Sequence, residues 1–295
     1  MDKNTLVGFA LIGVVIVGFG IWNRPSQEEM ERARHYQDSI QAVAQKQEEI
    51  RKAQEEAAAK TIQIDSTSAL FSATQGTEQF TTLENDLVQL TLTNKGGRVC
   101  KAMLKEYNDQ KHEPLVLFDG TDASLNFGFA GKNENILTEQ MFFETTQVTD
   151  STVTMRLNAG NGGHLDFTYK LLPESYVVDF TVQATGMQNF FSPSSRSMSI
   201  NWKQRARQME KGYTFEQRYT SLTYKPNGDS FDYLSETKDE KETIPEVLDW
   251  VAFKNQYFSC VFMAEKNFEN ATLESRMEQK GSGYMKNYQA DMETA

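Results

Sequence analysis

The chain has 295 residues, and its 41 Asp and Glu side chains outnumber its 30 Lys and Arg side chains, which gives a formal net charge of −11. Nucleic-acid binding needs clustered basic side chains, so this balance argues against a nucleic-acid-binding protein. It argues equally against a polybasic surface for anionic lipids. The length suffices for one large domain or two small ones.

An apolar run, TLVGFALIGVVIVGFGIW, occupies residues 5–22 and carries no charged side chain. As a helix rising about 1.5 Å per residue, it would be roughly 27 Å long, close to the hydrocarbon thickness of a bilayer. A cleaved signal peptide is the alternative, but Trp22 suits the membrane interface and the run offers only a poor cleavage site. We therefore expect residues 1–25 to form a retained anchor in the lipid bilayer, with the long tail outside the cytoplasm.

Residues 26–60 are rich in Gln, Glu, Ala, Lys and Arg and contain no Gly, a composition that predicts a charged helical stalk. A seven-residue apolar repeat comprises Tyr36, Val43, Ile50 and Ala57. Gln47 and Gln54 interrupt the second apolar column that a coiled coil needs, so we favour a solvated single helix or spacer over a dimeric coil. Residues 61–79 then form a polar linker.

From residue 80 onward, apolar side chains alternate with polar ones at the two-residue period of a strand. The alternation is clearest at residues 88–93, 152–157, 165–171, 176–184 and 197–202. Turn-forming sequences lie at 94–97, 158–163 and 226–229. Several strands with one apolar face each predict a mainly β fold, an antiparallel two-sheet β-sandwich, over residues 80–295.

The sequence contains no motif for nucleophilic catalysis, phosphate binding or metal-dependent hydrolysis. The histidines are His35, His112 and His164, and their spacing does not suggest a metal site. Asp239 and Glu240 belong to a charged loop, and a solvated loop is a better interpretation than a pair of catalytic carboxylates. We therefore predict no catalytic, cofactor-binding or metal-binding residue, no cofactor and no enzymatic activity.

Two local features allow more than one interpretation. Cys100 and Cys260 could form one disulfide outside the cytosol, but two buried free thiols are the interpretation that we favour. The segment LDWVAFKNQYF at residues 248–258 is aromatic-rich. We interpret it as a buried strand with Trp250 in the core, and the alternative is a ligand platform built on Trp250 and Tyr257.

Taken together, these features resemble the bacterial YidC-type membrane protein insertases. The resemblance rests on the anchor, the charged spacer and three motifs in the family's order: LTNKGGRV at 92–99, FTYKL at 167–171 and WVAFKNQYF at 250–258. The turn motif is weak by itself, whereas the WVAFKNQYF motif is considerably stronger. The spacer and Asp249 are more similar to the Bacteroidetes branch than to the enterobacterial one.

The resemblance implies a galactose-mutarotase-like β-sandwich, an inner-membrane location with the bulk in the periplasm, and two kinds of partner: the Sec translocon and nascent membrane proteins. In that family the periplasmic domain continues and five more transmembrane helices follow, which hold the charged insertion groove. No second apolar run of membrane-spanning length follows Trp22 here. We therefore expect an N-terminal part of such a protein, truncated in its domain and lacking the groove.

Our leading hypothesis is thus the anchor and periplasmic domain of an insertase that lowers the cost of moving polar peptide across the bilayer. The alternative is a membrane-anchored carbohydrate-binding or mutarotase-like periplasmic protein. A third hypothesis is an adaptor that dimerises through residues 26–60.

Overall fold

The computed structural model describes Ser66, residues 68–191 and residues 197–295. These residues lie in one compact unit, Ile64–Ala295. The predicted anchor at 1–25, the stalk at 26–60 and the first part of the linker fall outside the described residues. Within the described ranges, no helix combines the length and the apolar character that a membrane crossing requires.

The described residues form seventeen strands, one short helix and two 3-10 turns, Phe71–Thr74 and Thr138–Gln140. The helix is α1 (Tyr213–Gln217). The strands are β1 (Phe80–Glu84), β2 (Val88–Thr93), β3 (Arg98–Asn108), β4 (Pro114–Phe118), β5 (Ala123–Phe129), β6 (Ile136–Leu137), β7 (Glu144–Val148), β8 (Thr152–Asn158), β9 (His164–Leu171), β10 (Val178–Thr185), β11 (Met198–Arg207), β12 (Ser221–Pro226), β13 (Asp232–Tyr233), β14 (Glu240–Ile244), β15 (Leu248–Lys254), β16 (Ser259–Met277) and β17 (Tyr284–Thr294).

The strands pair in three hydrogen-bonded sheets, with neighbours in the orders β1-β2-β3-β4, β10-β9-β8-β7 and β13-β12-β15-β16-β17-β11-β5-β6. β14 adds to the third sheet by pairing with β16. The pairings are antiparallel throughout the described residues. The five strands predicted from alternation correspond to β2, β8, β9, β10 and β11. The predicted mainly β, antiparallel fold is confirmed.

Aromatic rings fill the first part of the core. Phe167, on the inward face of β9, is fully buried. Its ring centroid lies 4.8 Å from that of Phe143 and 5.3 Å from those of Phe127 and Phe180. Edge-to-face and tilted ring pairs of this kind each add about 0.5–1.5 kcal/mol beyond area burial. The cluster therefore joins β9 to β10 and to β5 of the largest sheet.

A second aromatic cluster joins three strands of the largest sheet. Trp202 on β11 stacks on Phe253 of β15 with a centroid distance of 3.7 Å, and Phe253 lies 5.1 Å from the Tyr288 ring on β17. β11 and β15 are not hydrogen-bonded neighbours, so this stacking packs one part of the sheet against another. Of the two tryptophans that the structure describes, Trp202 is the buried one.

The turn at 94–97 shows why its motif contains two glycines. Gly96 and Gly97 have φ values of +84° and +62°, which L side chains rarely adopt. A Cβ at Gly97 would lie 2.8 Å from a ring carbon of Phe143. The carbonyl of Gly97 also accepts a 2.7 Å hydrogen bond from the Tyr169 hydroxyl, which anchors the turn on β9.

Part of the segment predicted as a linker packs on the sheets. Leu70 is fully buried and Ala73 is nearly so. The Ser68 hydroxyl donates a 2.6 Å hydrogen bond to the Glu134 carboxylate, and Ala69 lies against Gly160. The chain therefore joins the domain beside the turn that precedes β9.

Candidate interaction surface

The structure corrects the interpretation of Trp250 as a core residue. Along β15, Val251 and Phe253 face the interior, and Trp250 points to the opposite face, where it is only half-buried and pairs with Met263. A bulge between Leu248 and Trp250 accompanies this register. Tyr257 lies in the turn after β15 with 66% of its surface exposed. No ring contact joins Trp250 to Tyr257 among the described residues, so the predicted platform has no support in the geometry.

The two cysteines are free thiols, as favoured from the sequence. Cys100 is buried, and its thiol donates to the carbonyl of Thr91 at 3.3 Å. Burial raises the pKa of Cys260 to about 11, so this thiol stays protonated and a poor nucleophile at neutral pH.

The other titratable residues singled out in the sequence have local roles. The carboxylate of Asp239 accepts the backbone N–H of Met277, and that of Glu240 accepts the backbone N–H of Ser235. His164 lies 3.7 Å from Asp166. His112 is exposed in a loop, and His35 lies outside the described residues. In the part of the chain that the structure describes, His, Cys, Asp and Glu form no group able to hold a metal ion.

Seven of the exposed apolar side chains lie toward one end of the domain, and we call this group the aromatic rim. Its members are Tyr107, Leu172, Tyr176, Val177, Phe215, Tyr219 and Tyr257. Their exposed fractions run from 44% for Tyr219 to 66% for Tyr257. They come from the end of β3, the loop between β9 and β10, the helix α1, the short segment after α1 that contains Tyr219, and the turn between β15 and β16.

Direct contacts connect the parts of the rim. The rings of Tyr107 and Phe258 meet edge to face at 5.2 Å, and those of Phe215 and Tyr219 lie 5.2 Å apart. The side chains of Tyr107 and Glu106 lie near the Tyr176 hydroxyl. Partial desolvation and the nearby Glu106 charge raise the pKa of Tyr176. Tyrosine, which joins an apolar ring to a polar tip, therefore provides most of this surface.

A buried polar pair holds two segments of the rim together. The side-chain amide of Asn255 donates to the carbonyl of Arg207 at 2.6 Å, and its backbone N–H donates to Phe258 at 2.8 Å. The Asn255 side chain also lies close to the fully buried carboxylate of Glu216 on α1. That carboxylate accepts the backbone N–H of Met209 at 2.9 Å, and burial raises its pKa. α1 and the β15–β16 turn are thus joined to the end of β11.

Arg207 fixes a further loop at this end. Its guanidinium donates to the Asp122 carboxylate at 2.6 Å and to Asp119 at 2.5 Å. The Asp122 side chain is fully buried, and burial raises its pKa although the adjacent Arg207 lowers it. A buried carboxylate with its own guanidinium partner is a structural element, and removing one partner leaves the other charge uncompensated.

The apolar surface continues along the outer face of β15 and β16. Val261 and Met263 are 51% and 61% exposed, and Met263 lies opposite Trp250. Ala252 pairs with Val261 on this face, and its small side chain is buried. The segment 250–258 therefore reaches both the outer face and the rim.

The rim has the size of a contact surface. Its five aromatic side chains, at about half exposure and roughly 200 Å² each, and its two aliphatic ones present roughly 600 Å² of apolar area. The largest apolar patch of a monomer is typically about 300–600 Å² and often functional. A standard protein interface buries about 800 Å² per partner. The rim therefore accounts for most of one side of such an interface.

The rim lies at the end of the strands opposite to Ala69 and Thr294. Met198, at the start of β11, pairs with Thr294, whereas Arg207 at its other end contacts the rim turn. Ten strand residues separate these ends by about 30 Å. β9 likewise runs from the turn beside Ala69 to the rim loop.

The sequence of the domain matches a known protein family. Residues 81–295 match the family model described as the YidC periplasmic domain. This chain belongs to the YidC family. Among the curated relatives, a membrane protein insertase YidC from Phocaeicola vulgatus is 64% identical over 100% of this chain and 48% of its own length. A Bacteroides fragilis protein of the same name is 50% identical with the same coverage, and one from Parabacteroides distasonis is 40% identical over 94% of this chain and 46% of its own length.

The chain spans about half the length of the curated YidC relatives that it matches. Their name supports the insertase hypothesis over the mutarotase-like alternative. The matched model identifies residues 81–295 as a periplasmic domain. The Bacteroidetes-like character expected from the spacer and Asp249 agrees with the organisms of these relatives.

Solved structures with related titles are more distant. A galactose mutarotase related enzyme from Lactobacillus acidophilus is 11% identical, with a TM-score of 0.40, over 73% of this chain and 84% of that chain. A galactose mutarotase-like protein from Lactobacillus casei has the same identity and TM-score and covers 87% of that chain. Likenesses at this level carry no argument about sugar binding.

Sequence reasoning missed most of the rim. It singled out Tyr257 as half of a ligand platform but not its neighbours from other segments. Single exposed aromatic residues are normal on protein surfaces, so none of the others was informative alone. Tyr176 and Val177 gave no separate signal, because the alternation assigned residues 176–184 to a strand, whereas β10 begins at Val178 and leaves both side chains in the loop.

Proposed function

We propose that this chain is the anchor and periplasmic domain of a membrane protein insertase, and that the domain is a non-catalytic contact module. Family membership supports the proposal, together with relatives that are named insertases and about twice as long. Residues 5–22 would hold the module at the inner membrane through a single span. The insertion step would belong to the half of those relatives that this chain does not match.

The aromatic rim is the observation that carries the contact role. We propose that it docks polypeptide: nascent membrane proteins or components of the Sec translocon. Tyrosine is enriched among the residues that dominate protein interfaces because a rigid ring contributes large area at low entropic cost. The exposed charges near the rim have both signs: Lys111, Lys211 and Arg218, and Glu106, Glu174 and Glu210. Such mixed charge suits a polypeptide better than an anionic lipid surface.

Site-specific crosslinking tests this role. A photoreactive phenylalanine analogue would replace Tyr257 in the full chain, in inner-membrane vesicles that carry a ribosome-bound nascent chain of a single-span membrane protein. The matched control replaces Phe80, which is 63% exposed at the end of the first sheet remote from Tyr107. We expect an adduct from position 257 to the nascent chain or to a Sec subunit, identified by immunoblot. Adducts to lipid alone, or equal adducts from both positions, would contradict the docking role.

Complementation tests the division of labour. Residues 1–295 should not rescue growth of a YidC-depleted strain, whereas the full-length Phocaeicola vulgatus relative should. Rescue by residues 1–295 alone would contradict our assignment of insertion to the other half. The mutarotase-like alternative predicts a thermal shift with galactose or glucose, and we expect none.

A further inference from the structure

Two Asn-Gly pairs, Asn161-Gly162 and Asn227-Gly228, lie in exposed turns of the domain. An asparagine followed by glycine is prone to lose its side-chain amide, because the next backbone nitrogen can attack the side-chain carbonyl carbon and glycine offers no Cβ to hinder it. The attack requires a side chain that is free to rotate and a backbone nitrogen that is not engaged. The two pairs differ in the hydrogen bonding of the asparagine side chain.

Asn227 is restrained. Its side-chain nitrogen donates a 2.8 Å hydrogen bond to the Asp249 carboxylate, and its backbone N–H donates to the carbonyl of Val247 at 2.8 Å. Hydrogen bonds from Lys225 and Asn227 lower the pKa of Asp249, so the carboxylate remains an ionised acceptor at neutral pH. A charge-assisted hydrogen bond of this kind holds the amide away from the backbone nitrogen that would attack it.

Asn161 has none of these restraints. Within the described residues its side chain makes no hydrogen bond, and the backbone nitrogen of Gly162 donates to no acceptor. Asn161 has a φ of +50° between two glycines with positive φ, and a Cβ placed on Gly162 would meet nothing within 4 Å. Gly228 has the same freedom: its backbone nitrogen donates to no acceptor among the described residues, and a Cβ placed on it would meet nothing within 4 Å. The two pairs therefore differ in the asparagine side chain, which is held by Asp249 at Asn227 and unrestrained at Asn161.

We propose that Asn161 is a site of spontaneous deamidation with water as the only co-reactant. The nitrogen of Gly162 forms a bond to Cγ of Asn161 and gives up its proton, while the bond from Cγ to the side-chain nitrogen breaks and ammonia leaves. Water then opens the resulting succinimide at either carbonyl, which yields aspartate or isoaspartate. No oxidant or reductant is involved.

The position of the turn gives the modification a structural consequence. A Cβ at Gly160 would lie 3.0 Å from Cβ of Ala69, so this turn is in contact with the segment where the chain joins the domain. Leu70, the next residue, is fully buried. Deamidation adds a negative charge to the turn, and isoaspartate adds a carbon atom to its backbone. Both changes alter the turn against which Ala69 packs.

The test compares the two pairs within one sample. The full chain is incubated in mildly alkaline buffer, and peptide mass spectrometry with isoaspartate-specific methylation reports the conversion at each asparagine. We expect Asn161 to convert at least about tenfold faster than Asn227, since a hydrogen bond to a charged acceptor is worth at least that factor. Asn161→Gln should abolish the faster signal without changing the slower one.

Two controls assign the selectivity to the fold. In denaturant the two pairs should convert at similar rates, because both then lack tertiary restraints. Asp249→Asn should accelerate conversion at Asn227 and leave Asn161 unchanged. Equal native rates at the two pairs, or faster conversion at Asn227, would overturn the proposal, and so would native selectivity that persists in denaturant.

Discussion

Lys286 is a buried lysine whose charge has a cost that can be measured. It lies on β17 with its side chain fully buried. Its ammonium group donates to the carbonyl of Ser235 at 2.5 Å and lies 3.4 Å from the hydroxyl of Ser275. Burial lowers the pKa of Lys286 to about 8, and the acidic loop residues Glu236, Asp239 and Glu240 oppose this shift only in part.

The sign of the resulting pH dependence follows from linkage. An unfolded chain has its lysine pKa near the ordinary 10.5, above the folded value of about 8. Between these two values the unfolded state binds more protons, so the free energy of unfolding rises with pH. The gap between the two pKa values corresponds to about 3 kcal/mol of unfolding free energy. Below pH 8 the buried charge lowers the free energy of unfolding by this amount, and above pH 10.5 this penalty is absent.

The assay compares wild type with Lys286→Met in urea denaturation of the full chain across this pH window. Met keeps the buried volume and removes the titration, so wild type should gain about 3 kcal/mol relative to the variant as pH rises. Other titrating groups, tyrosines included, act on both proteins and cancel in the difference. Lys280→Met, at an exposed lysine, is the matched control and should show no gain. Parallel curves for wild type and Lys286→Met would refute the reasoning.

Three further predictions concern the free energy of unfolding, measured by the same denaturation. Trp202→Ala should lower the free energy of unfolding by about 3–5 kcal/mol because this ring is buried. Trp250→Ala, on the outer face, should lower it by less than about half as much. Equal losses for the two variants would contradict the assigned register of β15. Gly97→Ala should cost about 2 kcal/mol or more, since φ is +62° and the methyl group would meet the Phe143 ring, and no loss would contradict the described turn. Arg207→Ala should cost about 3–5 kcal/mol near neutral pH and less as acid protonates the buried partner carboxylate, and a pH-independent cost would contradict that partnership.

The strands were predictable because side-chain alternation is a local property of an extended backbone. β2, β8 and β9 begin within one residue of their predicted positions, since each has one face in the core and one toward solvent. The turn at 94–97 was equally predictable, because positive φ at consecutive residues selects glycine. β16 was not recognised as one 19-residue strand, because it changes partners from β15 to β17 and its exposure pattern changes with them.

The role of Trp250 required the tertiary structure. Trp202 alternates with Met198 and Ile200, which places it on the apolar face of its strand, whereas Trp250 lies between Asp249 and Val251, where the alternation is interrupted. Whether Trp250 enters the core depends on the phase of its strand relative to the others, and a bulge next to Trp250 sets that phase in β15.

By itself, the sequence determined the strand period, the turns, the acidic balance and the family motifs, because each of these resides in neighbouring residues. Only the tertiary structure decided that aromatic residues from β3, the β9–β10 loop, α1 with the residues that follow it, and the β15–β16 turn form one exposed rim. Their proximity comes from strand pairing and from the buried Asn255–Glu216 contact, which join segments that are far apart along the chain.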